Sequence, residues 1–327
     1  MDRSKVRQIP YGVTDFAEIR RKNMYYVDKT MYIPKLEYAG YYLMFLRPRR
    51  FGKSLLLSML SAYYDVKYRD RFDEIFCGLY IHENSSENRN NYLVLSLNFS
   101  KVDSDPKRVN KSFNDYLLER IQDFVKKYNE YLPSDYIAKI NNATDSNTAF
   151  TYLESAVSYS DYKMYVIIDE YDNFANTMLA DSEDAYRNVT HGDGFFRLFF
   201  NNLKACTTGN EASVARILIS GVTPLCLSDV TSGYNIGTNL SLDRNFNAMA
   251  GFNETEIREM FEYYRDALGN FNHSVDELMQ ITKPWYDNNC FNENCIGDHM
   301  YNSDMTLYFL RAYIQSGELP RRWWMPM

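Results

Sequence analysis

The sequence predicts an α/β protein in which helices sandwich a parallel β-sheet and a helical subdomain follows the sheet. Two observations lead to this fold class. Short, nearly all-apolar segments alternate with segments of helical spacing up to about residue 250, and beyond that point only the helical spacing continues. Strands that are apolar on both faces are typical of parallel sheets covered by helices. The alternation further indicates right-handed crossover connections.

Strands are predicted where a short apolar run ends at polar or turn-forming residues. These runs cover residues 41–46, 92–99, 164–168 and 215–221. The carboxyl ends of parallel strands share one edge of the sheet, and ligands of open α/β sheets bind at that edge. We therefore expect the residues that follow these runs to include the functional ones.

Helices are predicted where apolar residues recur three and four positions apart. These ranges are 15–22, 55–64, 109–131, 194–206, 254–268 and 274–283. Pro133 follows the longest helix, as is common after a helix end. The change of pattern at 245–255 predicts a sheet-containing domain over 1–250, with a lead-in over 1–40, and a helical subdomain over 251–327.

Composition and charge indicate a soluble globular protein. Hydrophobic residues make up 45% of the 327 residues, and no apolar run approaches the roughly 18 residues that a membrane span needs. Residues 1–5 are charged and lead into no apolar segment, so no secretory signal is expected. The five cysteines are scattered and odd in number, which indicates reduced thiols in the cytoplasm or the nucleus.

The net charge of −7 argues against non-specific wrapping of nucleic acid. The first 54 residues nevertheless carry 12 Lys and Arg against 5 Asp and Glu. This basic segment favours a polyanionic ligand such as a nucleotide. Nucleic-acid binding by the same segment is the lowest-ranked alternative.

Residues 47–54 read Arg-Pro-Arg-Arg-Phe-Gly-Lys-Ser and join the first predicted strand to the next helix. Gly52, Lys53 and Ser54 match the second half of a phosphate-binding loop, in which backbone N–H groups at a helix start cradle phosphates. The Lys of this pattern reaches the β- and γ-phosphates, and the Ser hydroxyl binds Mg²⁺. Arg47 stands where G-x-x-x-x-G-K-[ST] has its first Gly, so the pattern is incomplete.

Two interpretations of the loop are open. In one, the loop is structural and Lys53 is a surface residue. In the other, the loop wraps phosphate with Pro48 fixing φ and its arginines adding positive charge, either as a clamp on the nucleotide or from behind the loop. The residues predicted to bind nucleotide in the second interpretation are Arg47, Arg49, Arg50, Phe51, Gly52, Lys53, Ser54 and Leu55.

Asp169 and Glu170 end the third predicted strand. Such a pair supplies the second half of a nucleotide site: Asp169 would hold Mg²⁺ with Ser54, and Glu170 would polarise the attacking water. The alternative is a solvated strand end followed by an acidic turn. Lys53 about 115 residues upstream favours the catalytic interpretation.

Further candidates are weaker. Thr223 and Ser220 follow the fourth strand, where a hydroxyl can sense the γ-phosphate, and the alternative is an ordinary turn. Arg244 is a candidate transition-state arginine, although most single arginines lie at the surface. Cys290 and Cys295 have the wrong spacing for a zinc site, so no metal other than Mg²⁺ is expected.

Taken together, these motifs resemble the AAA-ATPase-like family of P-loop NTPases, which are predicted AAA-type ATPases. The stretches that carry the resemblance are residues 9–16, 26–30, 47–54, 76–81, 168–172, 221–224, 231–236 and 251–256. The family's loop looks like Arg-Pro-Arg-Arg-Phe-Gly-Lys-Ser, so Arg47 agrees with its pattern. The chain departs from the family's Trp-Tyr-Asp-Gly-Tyr and Tyr-Asn-Pro elements at Asn288, Asn289 and Ser303.

The resemblance implies a P-loop parallel sheet with a C-terminal helical lid, or winged-helix-like subdomain, that is truncated here. It implies binding of ATP and Mg²⁺, hydrolysis that drives a switch or motor, and assembly into a homo-oligomer. A non-catalytic nucleotide-binding module is the alternative. No guanine-reading Asn-Lys-x-Asp motif is present, which favours ATP over GTP. Family members often continue into a nuclease domain with a PD-(D/E)xK core, and no nuclease activity is expected from the present residues.

Overall fold

The computed structural model describes residues 6–192, 194–209, 212–224, 237–269, 271–286, 289–292 and 299–320. Its centre is a sheet in which every pair of neighbouring strands is parallel, as predicted. The strand order is β2-β3-β4-β1-β5. The strands are β1 (Tyr42–Leu46), β2 (Tyr92–Asn98), β3 (Lys163–Asp169), β4 (Val214–Gly221) and β5 (Thr238–Asn239).

The strands are apolar throughout because both faces of the sheet are covered. In β3, Met164, Val166 and Ile168 pack into one hydrophobic cluster. The alternate residues Tyr165 and Ile167 pack into another on the opposite face. Successive side chains of a strand point to opposite faces, so a strand covered by helices on both sides needs apolar residues at both sets of positions.

Helices occupy both faces of the sheet and the region after it. Those from the first half of the chain are α1 (Phe16–Arg21), α2 (Tyr32–Ala39), α3 (Lys53–Tyr64), α4 (Phe72–Phe76), α5 (Tyr80–Glu83), α6 (Val109–Lys127), α7 (Ser134–Asn141) and α8 (Ser146–Ser158). Those from the second half are α9 (Asn173–Asp181), α10 (Glu183–Thr190), α11 (Phe195–Ala205), α12 (Glu254–Leu268), α13 (Val275–Tyr286) and α14 (Ser303–Ser316).

The long helix predicted over 109–131 is shorter than expected. It ends at Lys127, and a separate 3₁₀ turn covers Asn129–Tyr131. Tyr128 lies at this end with its hydroxyl bonded to the backbone N–H of Val94 in β2 at 3.0 Å. The tertiary contact with the neighbouring strand therefore ends the helix before Pro133 does.

Helices α12, α13 and α14, called here the C-terminal helices, have a hydrophobic cluster of their own. Residues of the lead-in, including Tyr25 and Val27, pack against this cluster. Two isolated antiparallel bridges, Phe252 with Tyr301 and Asn289 with Met300, join the segments around the helices. Among the described residues after 250 the structure thus has three helices, and the lead-in contacts their hydrophobic cluster directly.

Some residues named in the sequence analysis lie outside the described ranges. They are residues 231–236, Asn288, Cys295 and the C-terminal 321–327. Within the described ranges, no helix is long and apolar enough to cross a membrane. The same part of the chain holds no group of three or more His, Cys, Asp or Glu arranged to bind a metal ion.

Candidate functional site

The predicted phosphate loop and acid pair lie at the same edge of the sheet. The loop connects β1 to α3, which begins at Lys53. Asp169 is the last residue of β3. Because β4 lies between β1 and β3, the two halves of the site face each other across one strand. The structure therefore brings together residues that the sequence places more than a hundred positions apart.

The loop presents backbone donors that no protein group uses. Among the described residues, the N–H groups of Phe51, Gly52, Lys53, Ser54 and Leu55 donate no hydrogen bond. Gly52 precedes α3 with φ at 83°, a left-handed conformation that glycine adopts without strain. Free N–H groups and the positive end of the helix dipole together favour an anion at a helix start. The loop therefore fits a phosphate group.

Lys53 is held inside the loop. Its Nζ donates to the carbonyl oxygens of Arg47 at 3.0 Å and of Pro48 at 3.2 Å, and it lies 3.8 Å from Oε1 of Glu170. Only 3% of the side chain is exposed. Burial lowers the pKa of Lys53, and the carboxylates of Glu170 and Asp169 oppose that shift. The ammonium is thus fixed beside the free N–H groups, where a polyphosphate would pair with it.

Ser54 and Asp169 meet directly. The Ser54 hydroxyl donates to Oδ2 of Asp169 at 2.6 Å, while Oδ1 of Asp169 accepts from the backbone N–H of Glu170 at 3.0 Å. A hydroxyl and a carboxylate are oxygen ligands of the kind that Mg²⁺ takes from a protein, usually one or two with water and phosphate completing its shell. The two side chains therefore fit a magnesium ion.

Glu170 has an unusual backbone. Its φ is 51°, which for a residue with a side chain costs on the order of 1 kcal/mol. The following residue fixes the turn, because the Tyr171 N–H donates to the Ser220 carbonyl at 3.1 Å. With this backbone conformation, the Glu170 carboxylate lies 3.8 Å from the Lys53 ammonium, beside the loop.

Arg47 lies behind the loop and does not line the cavity in front of it. Its guanidinium donates to the carbonyl oxygens of Leu46 and Ser241 at 2.8 and 2.7 Å and to that of Phe246 at 3.1 Å. The group is stacked between the rings of Phe45 and Phe291, 4.3 and 4.1 Å from their centroids. Burial lowers the pKa of Arg47 to about 10. Of the two roles left open for this arginine, the geometry matches the one in which it holds the loop from behind.

The other loop residues occupy different positions. Arg50 and Leu55 line the cavity in front of the loop, with the Arg50 Nε 4.0 Å from Oδ2 of Asp304. Phe51 is buried, and its carbonyl accepts from the Gly251 N–H at 2.8 Å. Arg49 is exposed and does not line the cavity. Only some of the predicted nucleotide contacts therefore have side chains at the cavity.

The cavity has a volume of about 280 Å³, close to the lower end for small-molecule sites. Its polar side consists of the loop from Arg50 to Ser54 together with Glu170. Its other side is mostly apolar and comes from the lead-in, from residues 249–252 and from the C-terminal helices. The residues of that side are Pro10, Val13, Tyr25, Tyr26, Val27, Met249, Phe252, Met260 and Leu307.

Thr223 is turned away from the cavity toward Asp172. Its backbone N–H and hydroxyl donate to Oδ2 of Asp172 at 2.7 and 3.0 Å. The fully buried Asp172 carboxylate also accepts from the Val222 N–H at 3.1 Å and from the Asn176 amide at 2.8 Å. Asp172 thus ties the end of β4 to the turn after β3. The sequence analysis treated it only as part of an acidic turn, since two of its four donors are backbone groups and one of the other two, the Thr223 hydroxyl, lies 51 positions away.

Lys29 was also missed as a residue of the cavity wall. Its Nζ donates to both carboxylate oxygens of Glu256, at 2.6 and 2.8 Å, and to the Ala248 carbonyl at 2.8 Å. Glu256 closes a capping box with Asn253 at the start of α12. Both charges lie in stretches that carry the family resemblance. Their pairing across 227 positions has no local sequence signal.

The remaining candidates lie elsewhere. Arg244 lines a separate cleft together with His299, and neither residue lines the cavity at the loop. Ser220 is buried at the end of β4, and its hydroxyl has no hydrogen-bond partner among the described residues. Cys290 is exposed, and its Sγ lies 3.1 Å from the Asn292 carbonyl oxygen. The structure thus assigns Arg244 no place at the loop within this chain.

Comparison with known proteins agrees with this site. The family model described as "Predicted AAA-ATPase" matches residues 10–231. An uncharacterized protein in the vnfD 5' region of Azotobacter chroococcum mcd 1 is 26% identical over 308 residues, which cover 93% of this chain and 52% of that protein. The chain therefore spans about half the length of this relative.

A solved structure is also similar at low identity. The crystal structure of Cdc6p from Pyrobaculum aerophilum matches with a TM-score of 0.39 and 12% identity, over 85% of this chain and 56% of that one. The family match covers the loop, the acid pair and the whole of β1 to β4. The chain belongs to the AAA-ATPase-like family, described as predicted AAA-ATPases, and it carries a nucleotide-binding domain of the ATPase type.

Proposed function

We propose that the chain binds ATP with Mg²⁺ at the cavity in front of the loop, hydrolyses the ATP and uses the cycle as a switch. The observation that carries the proposal is the row of free backbone N–H groups from Phe51 to Leu55 beside the Lys53 ammonium. A phosphate chain placed there would receive several hydrogen bonds and one full positive charge. A helix start with several free N–H groups favours a negatively charged ligand over a neutral one.

The apolar side of the cavity would take the base. Tyr25, Tyr26 and Phe252 supply aromatic surface within it, and Lys29, which is paired with Glu256, lines it as well. Stacking on aromatic rings suits any base. Adenine is the base proposed, because the chain has no Asn-Lys-x-Asp motif for guanine.

Ser54 and Asp169 would hold Mg²⁺, which when bound neutralises charge on the phosphates. Glu170 would accept a proton from the attacking water as the water oxygen bonds to the γ-phosphorus. The bond from that phosphorus to the ADP oxygen then breaks, and the proton ends on the phosphate product. Lys53 lies 3.8 Å from Glu170, so its pairing with phosphate would weaken its hold on that carboxylate.

The test compares nucleotide binding and Mg²⁺-dependent ATP hydrolysis in the wild type, Lys53→Ala and Glu170→Gln. Lys53→Ala is expected to weaken ATP binding by about 10- to 100-fold, the value of a charged hydrogen bond to phosphate. Glu170→Gln is expected to bind ATP within about threefold of the wild type while turnover falls at least about 100-fold. Lys126→Ala, an exposed lysine on α6, is the matched control and should change neither quantity.

The outcomes separate the two functions considered for this family member. Undiminished ATP binding in Lys53→Ala would remove the phosphate assignment. Equal turnover in the wild type and Glu170→Gln would favour the non-catalytic nucleotide-binding module. Removal of Mg²⁺ with a chelator should abolish turnover in the wild type, and sedimentation with and without ATP would test assembly into a homo-oligomer.

A further inference from the structure

The end of β4 holds the turn that carries Glu170. The next residue, Tyr171, is fully buried. Its backbone N–H donates to the Ser220 carbonyl at 3.1 Å, and its side-chain hydroxyl donates to the Thr223 carbonyl. Tyr171 is thus bonded through its backbone and through its side chain to two residues three positions apart, so its ring lies along the end of β4.

Gly221 makes room for this ring. A Cβ built on Gly221 would lie 2.4 Å from Cδ1 and 2.5 Å from Cε1 of Tyr171. Side chains essentially never come closer than 3.0 Å in this way, so any other residue here must displace the Tyr171 ring. The Gly221 carbonyl also accepts from the Arg47 N–H at 3.2 Å, where the phosphate loop begins. The last residue of β4 therefore contacts both the Glu170 turn and the loop.

Glu170 needs such support because its backbone is strained. Its φ of 51° is uncommon for a residue with a side chain, although its N–H donates to Oδ1 of Asp169 at 3.0 Å and its carbonyl accepts from the Asn173 N–H at 3.1 Å. The strain of a left-handed residue and the contribution of one hydrogen bond are similar in free energy. Loss of one neighbouring hydrogen bond is therefore enough to let the Glu170 backbone relax and to move its carboxylate relative to Lys53, which lies 3.8 Å away.

We propose that Tyr171 is a positioning residue for hydrolysis: its hydroxyl bond to the Thr223 carbonyl, in the space that Gly221 leaves open, holds the Glu170 carboxylate where it accepts the proton of the attacking water. Tyr171 does not line the cavity, so it acts through Glu170. A general base works only within hydrogen-bond reach of the water, and a displacement of about 1 Å can cost about 100-fold in rate. The inference rests on the proposed function, because it needs ATP hydrolysis that depends on Glu170.

The experiment measures steady-state ATP hydrolysis and equilibrium ATP binding, both with Mg²⁺, in Tyr171→Phe, which removes only the hydroxyl. We expect kcat to fall about tenfold, the effect of one lost hydrogen bond, while KM and Kd for ATP stay within about twofold of the wild type. Gly221→Ala places a methyl group against the ring and should lower kcat at least as much.

Tyr128→Phe is the matched control. Tyr128 is also fully buried, and its hydroxyl bonds the Val94 N–H at 3.0 Å in β2, outside the cavity lining. This variant should lose stability in urea unfolding, as Tyr171→Phe does, while kcat stays within about twofold of the wild type. A merely structural role of the Tyr171 hydroxyl predicts the same kcat for both variants.

A double variant tests whether Tyr171 acts through Glu170. In the Glu170→Gln background, single-turnover hydrolysis should be the same within about twofold with and without Tyr171→Phe, because the carboxylate to be positioned is already absent. Multiplied losses overturn the inference, as does a wild-type kcat in Tyr171→Phe or a loss in Tyr128→Phe as large as that in Tyr171→Phe. Failure of the proposed function looks different, since the wild type and Glu170→Gln would then hydrolyse ATP equally slowly.

Discussion

Replacement of Asp172 by alanine tests whether the turn after β3 and the end of β4 act as one unit. We expect Asp172→Ala to lower the free energy of unfolding by about 2–4 kcal/mol. The carboxylate accepts from the N–H groups of Val222 and Thr223, from the Thr223 hydroxyl and from the Asn176 amide. The Thr223 hydroxyl keeps Oδ1 of Asn176 as its acceptor at 3.1 Å, and the Nδ2 of Asn176, a residue that is not fully buried, can donate to water instead. Alanine leaves two backbone N–H groups without an acceptor, and each such loss costs about 1–3 kcal/mol. Because both contacts are only partly buried, we expect the total in the lower half of the range of about 2–6 kcal/mol.

Urea unfolding of the ligand-free protein measures this difference. Asp172→Asn keeps one oxygen for the Thr223 N–H and is expected to cost about 1 kcal/mol, less than the alanine variant. Asp181→Ala, at an exposed aspartate that ends α9, is the control and should stay within about 0.5 kcal/mol of the wild type. A change below about 0.5 kcal/mol for Asp172→Ala would refute the reasoning, because the carboxylate would then not hold the β4 end.

Three further predictions follow from buried charges and tyrosines. Lys29→Met should cost about 2–4 kcal/mol in urea unfolding, because Glu256 is left as a mostly buried, unpaired carboxylate. Arg47→Lys should cost about 1–3 kcal/mol, because an ammonium cannot reach all the carbonyls that the guanidinium bonds, yet ATP affinity should change less than about threefold. Stability should fall as pH rises from about 10 toward 12, because burial raises the pKa of Tyr25 and Tyr32 to about 12.

The sign of the alkaline effect follows from proton linkage. A tyrosine whose pKa is raised in the fold keeps its proton there after the unfolded chain has lost it, so alkali favours unfolding. Tyr25→Phe and Tyr32→Phe should flatten the fall between pH 10 and 12, and an unchanged slope would contradict the prediction. Lys22→Met breaks an exposed i,i+4 pair and should cost under about 1 kcal/mol, as the comparison for Lys29→Met. A loss of ATP affinity in Arg47→Lys as large as that in Lys53→Ala would assign Arg47 to the phosphates.

The strands and the two halves of the site could be predicted from the sequence because their signals are local. Apolar runs located β1 to β4 within one or two residues; Asp-Glu follows the third run directly, and Gly-Lys-Ser follows the first after five residues. β5 was missed, since two exposed residues carry no apolar pattern. Several helices were also missed: α7, α9 and α10 are short, but α8 and α14 have 13 and 14 residues and were missed as well.

The role of Arg47 could not be predicted, because its partners are backbone carbonyls. The carbonyl groups of Ser241 and Phe246 lie 194 and 199 positions away along the chain. Every residue type has a backbone carbonyl, so the sequence does not show which residues accept from Arg47. The role of Asp172 could not be predicted for the same reason, because two of its partners are the backbone N–H groups of Val222 and Thr223. Long-range contacts between a side chain and the backbone are thus the part of this site that the sequence does not predict.

The position of β4 between β1 and β3 sets the distance between the backbones of the two halves of the site. Neighbouring strands are about 4.8 Å apart, so one intervening strand separates the ends of β1 and β3 by about 10 Å. Side chains cross this distance, because the Ser54 hydroxyl bonds Oδ2 of Asp169 at 2.6 Å and Lys53 Nζ lies 3.8 Å from Oε1 of Glu170. The width of β4 thus fixes how far these side chains must reach, and substitutions in the β4 core at Ile217 or Ile219 should change both distances without replacing any of the four residues.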